Sequence, residues 1–317
     1  MHKFILKRLL LAVFQLLLVG TGVFALLHLM PGDPVLIVLG SEQSTPDPEV
    51  VEAVRTRLGL DQPLHIQYAT WVKGVVQGDL GRSLVDDSSV ADRIVHRLPR
   101  TMQLVTAGML LAVIVGLPLG ILSALAWNTV WDRLISLFGA AGISLPVYVV
   151  GMLLVLAFSI ELQWLPAAGY TAPTEDLSGF LEKLALPSVA LALSPTAIIA
   201  RMTRSSMLEV RNQDYIRTAR AKGLREWVVI IRHMLRNALI PIVTVVGLQM
   251  GTLIGGTVLV EYVFNWPGIS TLLVTSVSRR DYPMVQGVVL VSASLFILIN
   301  LAVDILYGIL DPRIRVS

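Results

Sequence analysis

Six long runs without a single Asp, Glu, Lys or Arg divide this chain, and they constrain its fold more than any other feature. They lie between Arg8 and Asp33 (24 residues), Arg100 and Asp132 (31), Arg133 and Glu161 (27), Lys183 and Arg201 (17), Arg236 and Glu261 (24), and Asp281 and Asp304 (22). A helix rises about 1.5 Å per residue, so about 20 residues cross a hydrocarbon core of about 30 Å. One such run could be a buried core helix, but six together predict an all-α integral membrane protein with about six transmembrane helices. The fourth run is the weakest, being short and holding Pro187 and Pro195. The first follows Lys3, Lys7 and Arg8 as a signal peptide would. Its apolar stretch exceeds the roughly 7–15 residues of a signal core, however, and no A-x-A site follows, so it reads as a retained span.

Composition agrees. Of 317 residues, 55% are hydrophobic and 15% charged, with mean hydropathy +0.73, where a soluble domain has roughly 25% charged residues. The absence of cysteine rules out disulfides, a thiol nucleophile and cysteine-based metal sites. The five histidines are scattered without an HExxH pair, so the sequence offers no catalytic or metal constellation.

Six spans place both termini on one side. If that side is the cytoplasm, it holds 15 basic residues, nine of them between Arg201 and Arg236, while the two short outer loops hold only Lys183, Arg279 and Arg280. The positive-inside bias therefore predicts cytoplasmic termini. The expected layout is a single permease-like domain over 1–317, with spans at about 9–30, 101–126, 134–160, 184–202, 237–260 and 284–308. Segment 31–100 becomes an extracytoplasmic helical cap. In it Thr45-Pro46-Asp47-Pro48 reads as a turn and helix start. Val50, Val51, Val54 and Leu58 repeat at helical spacing up to Gly59, and Leu64–Val76 reads as a second helix.

The cytoplasmic loop 203–236 is too long for a simple connection and too patterned for a linker. Asp214 reads as an N-cap, 215–222 as a short helix, and Gly223 as its stop; a second helix, 225–238, leads into the fifth span. Ala219 and Ala221 leave room for another backbone to approach, and Arg217, Arg220 and Lys222 add charge. Two readings are open on this evidence: docking into a groove of a cytoplasmic protein, or a basic helix lying on anionic lipid.

The run Asp214-Tyr-Ile-Arg-Thr-Ala-Arg-Ala-Lys-Gly-Leu224 resembles the EAA loop of binding-protein-dependent ABC transporter permeases, in the form of the dipeptide/oligopeptide/nickel importer branch. Where the general signature has Glu-Ala-Ala, this chain has Arg217, Thr218 and Ala219, a departure typical of that branch. Further similar stretches are Met30-Pro-Gly-Asp-Pro34, Leu58-Gly-Leu-Asp61, Gly78-Asp-Leu-Gly-Arg-Ser83, His233 to Pro241, Glu261-Tyr-Val-Phe-Asn-Trp-Pro-Gly268, Arg280-Asp-Tyr-Pro283 and Asp311-Pro-Arg313. They cover nearly the whole chain. The resemblance implies an inner-membrane permease subunit of an ATP-driven importer, in a bacterium or archaeon. Its partners would be a second homologous permease subunit, two cytoplasmic ATPase subunits and an extracytoplasmic substrate-binding protein, with membrane lipid around it and no nucleic acid. The implied ATPase contact is Asp214, Tyr215, Arg217, Thr218, Ala219, Arg220, Ala221, Lys222 and Gly223. Peptide is the first expectation for cargo, with nickel complexes or glutathione as alternatives of the same branch. No G-x-x-x-x-G-K-[ST] occurs, so ATP and Mg are expected on partner chains, with no cofactor bound here and no enzymatic activity in this subunit. A self-contained secondary transporter is the competing class, but it would need carboxylates near the bilayer midplane.

Polar and small residues within the spans are candidates for the path or for helix packing: Gln103, Gln249, Gly251 and Asn300, together with Asn237 and the stripe Gly247, Gly251, Gly255, Gly256. His28 and Asp304 sit near span ends, where a capping or snorkelling role competes with a functional one. Pro118, Pro146 and Pro195 are candidate kinks.

Overall fold

The computed structural model describes residues 2–29, 35, 47–57 and 60–310. The Met30–Pro34 motif, the Thr45-Pro46 turn, Leu58, Gly59, Asp311-Pro-Arg313 and the His28 side chain lie outside that description. The described residues form helices and no strand, with one isolated bridge between Arg82 and Ser89. In chain order the helices are α1 (His2–Leu29), α2 (Pro48–Arg57), α3 (Leu64–Val76), α4 (Val90–Leu125), α5 (Val130–Ser144), α6 (Val147–Leu154, continued as a π-helical turn Val155–Glu161), α7 (Leu177–Arg211), α8 (Asp214–Ala221), α9 (from Glu226, π-helical over Val229–Leu235, to Val263), α10 (Ile269–Ser278) and α11 (Tyr282–Leu310).

Five of these, α1, α4, α7, α9 and α11, are long and apolar enough to cross a membrane, and α5 with α6 makes a sixth if the bent pair is one span. The bend between α5 and α6 is 103°. The charge-free run 134–160 predicts one continuous span, and Pro146 explains the difference. Proline has no N–H to continue the helix, and Leu145 and Pro146 both take extended backbone, with ψ 127° and 135°. The fourth run shows the opposite. Expected at 184–202, its helix begins at Leu177, where Asp176 accepts from Ser178 N at 3.0 Å, and continues through Pro187 and Pro195 to Arg211. Lys183, which bounds the charge-free run, does not end the helix; its Nζ donates to Thr171 Oγ1 at 2.6 Å.

The chain divides into two compact units. The first comprises Met1–Leu9, Met102–Trp266 and Leu298–Ser317. Its centre is α7, whose Leu186, Leu191, Ile199 and Met207 are buried. Gly116 and Gly120 let α4 lie against it almost backbone to backbone, and Gly108 makes room for the Leu191 side chain. A Cβ on Gly120 would sit 2.5 Å from Ala200 O, one on Gly116 2.8 Å from Thr196 O, and one on Gly108 3.1 Å from Leu191. This Gly116-x-x-x-Gly120 contact is the small-residue packing that membranes favour, because lipid tails supply no hydrophobic drive between helices. Gly247 of α9 likewise faces the Val303 side chain of α11. Tyr170, Phe180 and Trp266 cluster beside these helices with ring centroids 4.9–6.3 Å apart, and Gly169 N donates to Phe264 O at 2.9 Å.

The second unit comprises Leu10–Thr101 and Pro267–Ile297. Val90 and Ile94 of α4, Ile269 and Leu272 of α10, and Met284 and Val288 of α11 form its buried core. The helix expected over Leu64–Val76 is present as α3. It packs on α1 through Tyr68 and Trp71 against Phe24, and Tyr68 Oη lies 2.6 Å from Thr21 Oγ1. The turn 83–89 is held by Asp281, which accepts from Ser83 Oγ at 2.5 Å and Leu84 N at 3.1 Å. Helix α10 is an element that charge-run reasoning passes over, since Glu261 and Asp281 bound it as a loop. Its signal is Ile269, Leu272 and Leu273 at helical spacing after Gly268.

Candidate functional site: helix α8 and the groove at the helix break

Helix α7 ends at Arg211, and two residues later α8 begins. Gln213, with extended backbone at φ −74° and ψ 145°, takes the N-cap position, so Asp214 is the first helical residue rather than the cap. There its carboxylate suits the positive helix end and accepts from Arg217 at 3.3 Å. Ile216 and Ala219 are buried at 0% and 6% exposure, whereas Asp214, Tyr215, Arg217, Thr218, Arg220, Ala221 and Lys222 are exposed. This corrects the reading of Ala219 as part of an outward small-residue surface. At spacing i, i+3 Ile216 and Ala219 form the inward stripe, and the small side chain of Ala219 lets α8 sit close to its own unit. The exposed face is Tyr215, Arg217, Thr218, Arg220 and Ala221.

The end of α8 is locked by backbone geometry. Gly223 has φ +77°, its N–H donates to Arg220 O at 2.9 Å, and Leu224 N donates to Ala219 O at 3.4 Å. These two bonds make the Schellman arrangement, which needs a left-handed residue at its turn. Arg220 then reaches across that turn to Glu226 at 2.6 and 3.2 Å. The hydrogen bonds it donates to the Glu226 carboxylate hold Arg220 more firmly in its charged form, and burial raises the Tyr215 pKa above the ordinary phenol value. The second helix begins at Glu226 rather than Arg225 and is π-helical over Val229–Leu235, with Val229 and Met234 fully buried.

A groove opens in the same unit where α5 breaks from α6. Gly142, Ile143, Ser194, Pro195, Gln249 and Thr252 are among its lining residues. Gln249, a candidate for the path, therefore faces a groove. Gln103 instead accepts from the Tyr170 hydroxyl at 3.3 Å, Gly251 is buried in α9, and Asn300 is half-buried on α11 and not part of the lining. The glycine stripe of α9 also splits: Gly247 meets Val303, while Gly255 and Gly256 have open space at their Cβ positions. Asp304 pairs with Arg8 at 2.8 Å, both partly exposed, which fits a charge paired near a helix end. Asn237 donates to His233 O at 2.7 Å within its own helix.

One polar cluster is invisible in the sequence reading, where Asp132 only ends a charge-free run and Arg204 is one of nine loop cations. Asp132 is 4% exposed and accepts from Arg204 Nε at 2.7 Å and Nη2 at 2.8 Å. It also accepts from Ser123 Oγ at 2.6 Å and Asn128 N at 2.9 Å. The partners lie 72 residues apart, so no local pattern could join them.

Two family models cover the chain. The N-terminal region described as "Binding-prot-dependent transport system membrane comp, N-term" matches residues 1–105, and "Binding-protein-dependent transport system inner membrane component" matches residues 116–316. The chain is 45% identical over 316 residues to the "Glutathione transport system permease protein GsiC" of Escherichia coli (strain K12), with 99% of each covered. The same figures hold for GsiC of Salmonella paratyphi A (strain ATCC 9150 / SARB42). The solved methionine ABC transporter MetNI, in an inward-facing conformation, shares the fold. It has a TM-score of 0.55 at 18% identity, covering 69% of this chain and 96% of that one. The chain belongs to the binding-protein-dependent transport system inner-membrane component family. It is a multi-pass membrane permease component of an ABC importer, a class that works with ATPase and binding-protein partners.

Proposed function

We propose that this subunit pairs with a second, homologous permease chain to form the path for a small peptide, and that α8 is the element two-chain ATPase machinery grips to drive it. The observation that carries this reading is α8 itself. It is an exposed eight-residue helix, two residues beyond a long membrane-crossing helix and locked at a Schellman turn by Gly223. A helix so fixed transmits a push instead of absorbing it. Tyr215, Arg217, Thr218, Arg220 and Ala221 would meet the ATPase, with Asp214, Ala219, Lys222 and Gly223 holding that face in place. ATP and Mg would be bound by the ATPase chains, with none bound here. Both termini would be cytoplasmic, in the inner membrane of a prokaryote.

Glutathione is the cargo to try first. It is one of the alternatives to the first expectation of a dipeptide or oligopeptide, and it moves ahead because relatives 45% identical over nearly their full length are named for its transport. Nickel complexes belong to the same branch and are the second candidate. In vesicles holding the permease pair, the ATPases and the cognate binding protein, glutathione or a short peptide should be taken up and nickel should not. Uptake of nickel alone would overturn the peptide assignment while leaving the importer intact. A cysteine at Ala221 should cross-link to the ATPase chain in that complex; labelling by lipid probes without any ATPase cross-link would support the lipid-surface reading instead.

A further inference from the structure

We infer that Asp132 and Arg204 are a positioning pair that makes the broken helix α5–α6 follow the movement of α7 and α8. The inference rests on the coupling role proposed for α8. The geometry that points to it lies within the first unit. Arg204 sits about two turns before the end of α7, and only Asn212 and Gln213 separate that end from α8, so α7 is the direct route by which a displacement of α8 would reach Arg204. Asp132 sits in the first turn of α5, where Thr129 caps the helix by accepting from Asp132 N at 3.4 Å. The carboxylate thus gathers the end of α4 (Ser123), the α4–α5 turn (Asn128) and α7 (Arg204) onto the start of α5.

The two helices packed on α7 are held differently. Helix α4 is interlocked with it along Gly116 and Gly120, where no side chain fits between the backbones. Helix α5 meets it with side chains as the nearest neighbours, in ordinary contact at Gly139 and in a tighter, buried one at Gly142. A Cβ on Gly139 would lie 3.8 Å from Ala197, and one on Gly142 3.3 Å from Leu193. Much of the rest of α5 is uncovered within the chain, with Trp131, Leu137 and Phe138 exposed by 60–70%. Contacts to side chains yield more readily than the backbone contacts of α4. A forked guanidinium–carboxylate pair cannot slide without losing both of its bonds, and in a buried setting that loss leaves a charge unpaired. The pair therefore fixes α5 in register with α7. Through α5 it fixes the bend at Pro146 and the groove wall of Gly142 and Ile143 facing Gln249.

The chain has no native cysteine, so spin labels can be placed on Leu137 (α5) and Glu209 (α7), both exposed. The label-to-label distance is read by electron–electron resonance in the complete complex, nucleotide-free and ATP-trapped. In the native background the distribution should be narrow and unchanged between the two states. In Asp132→Leu/Arg204→Met it should broaden and shift. Replacing a buried ion pair by apolar residues of similar size is often neutral for stability, so this variant should still insert and melt as before. Arg204→Lys keeps the charge but loses the fork. It should retain protein level and co-purifying ATPase while losing most cargo-stimulated ATP hydrolysis. A merely structural role predicts that the apolar pair, once stable, restores both narrow distances and stimulation. A distance that already changes in the native protein, an unchanged distribution in the double variant, or full stimulation in Arg204→Lys overturns the inference. Failure of the coupling reading would look different: the ATPase would not co-purify, whatever the distances.

Discussion

At the scale of single residues, Gly223 carries the sharpest consequence. Its φ of +77° lies where a residue with a Cβ is strained by about 1–2 kcal/mol, and no neighbouring atom stands within 4 Å of that Cβ position. Space is thus not the obstacle; backbone conformation is. Gly223→Val should reorient α8 and abolish most cargo-stimulated ATP hydrolysis at normal membrane level. Gly223→Asn, which tolerates the left-handed region, should keep most of it. The measurement is hydrolysis in reconstituted vesicles, with protein level as control. Equal activity in both variants would mean the turn does not matter to coupling. This position was legible in sequence, because a glycine after a short run of good helix formers is a stop signal. The inward face of α8 was not. Eight residues hold too few apolar side chains to show which stripe is buried, and only the fold shows that Ile216 and Ala219 turn inward. Asp132 and Arg204 were less legible still, since a pair 72 residues apart leaves no spacing to read.

Among the elements, α4 and α7 give a test of packing. Gly120→Val would place a branched side chain where even a Cβ would lie 2.5 Å from Ala200 O. Overpacking of this kind costs about 1–3 kcal/mol. The melting temperature in detergent should fall, whereas Gly255→Ala, with open space at its Cβ, should leave it unchanged. Equal melting of the two variants would argue against the interlock. In the sequence the α9 stripe that holds Gly247 and Gly251 stands out, but Gly116 and Gly120 do not, and only the fold shows their contact. What sequence could not supply was the face each pair presents. The α5–α6 break was half legible: Pro146 marks a kink, but a proline in a charge-free run does not fix an angle of 103°.

For the whole molecule, the six charge-free runs point to an all-helical membrane fold, because excluding charge from lipid is a strong and local constraint. They do not give the bounds of its helices: one run is broken at Pro146 and another lies inside the longer helix Leu177–Arg211. They said little about α10, which carries no charge from Ile269 to Ser278 yet is too short to cross. Orientation rests on the basic-residue bias and is testable by labelling. Ser178→Cys should react with an impermeant thiol reagent in intact cells, and Ser205→Cys only after permeabilisation; both residues are exposed in the chain. Reaction of Ser205→Cys from outside would reverse the topology.

The central claim is that this chain moves cargo only as one part of an ATP-driven assembly. The direct measurement is uptake of labelled glutathione or a short peptide into vesicles. They would contain this subunit and its permease partner with cargo-loaded binding protein, with and without the ATPase chains and ATP. Concentrative uptake is expected in the complete system and none when either the ATPases or ATP is withheld. Concentrative uptake by this subunit alone, driven by an ion gradient and indifferent to ATP, would contradict it.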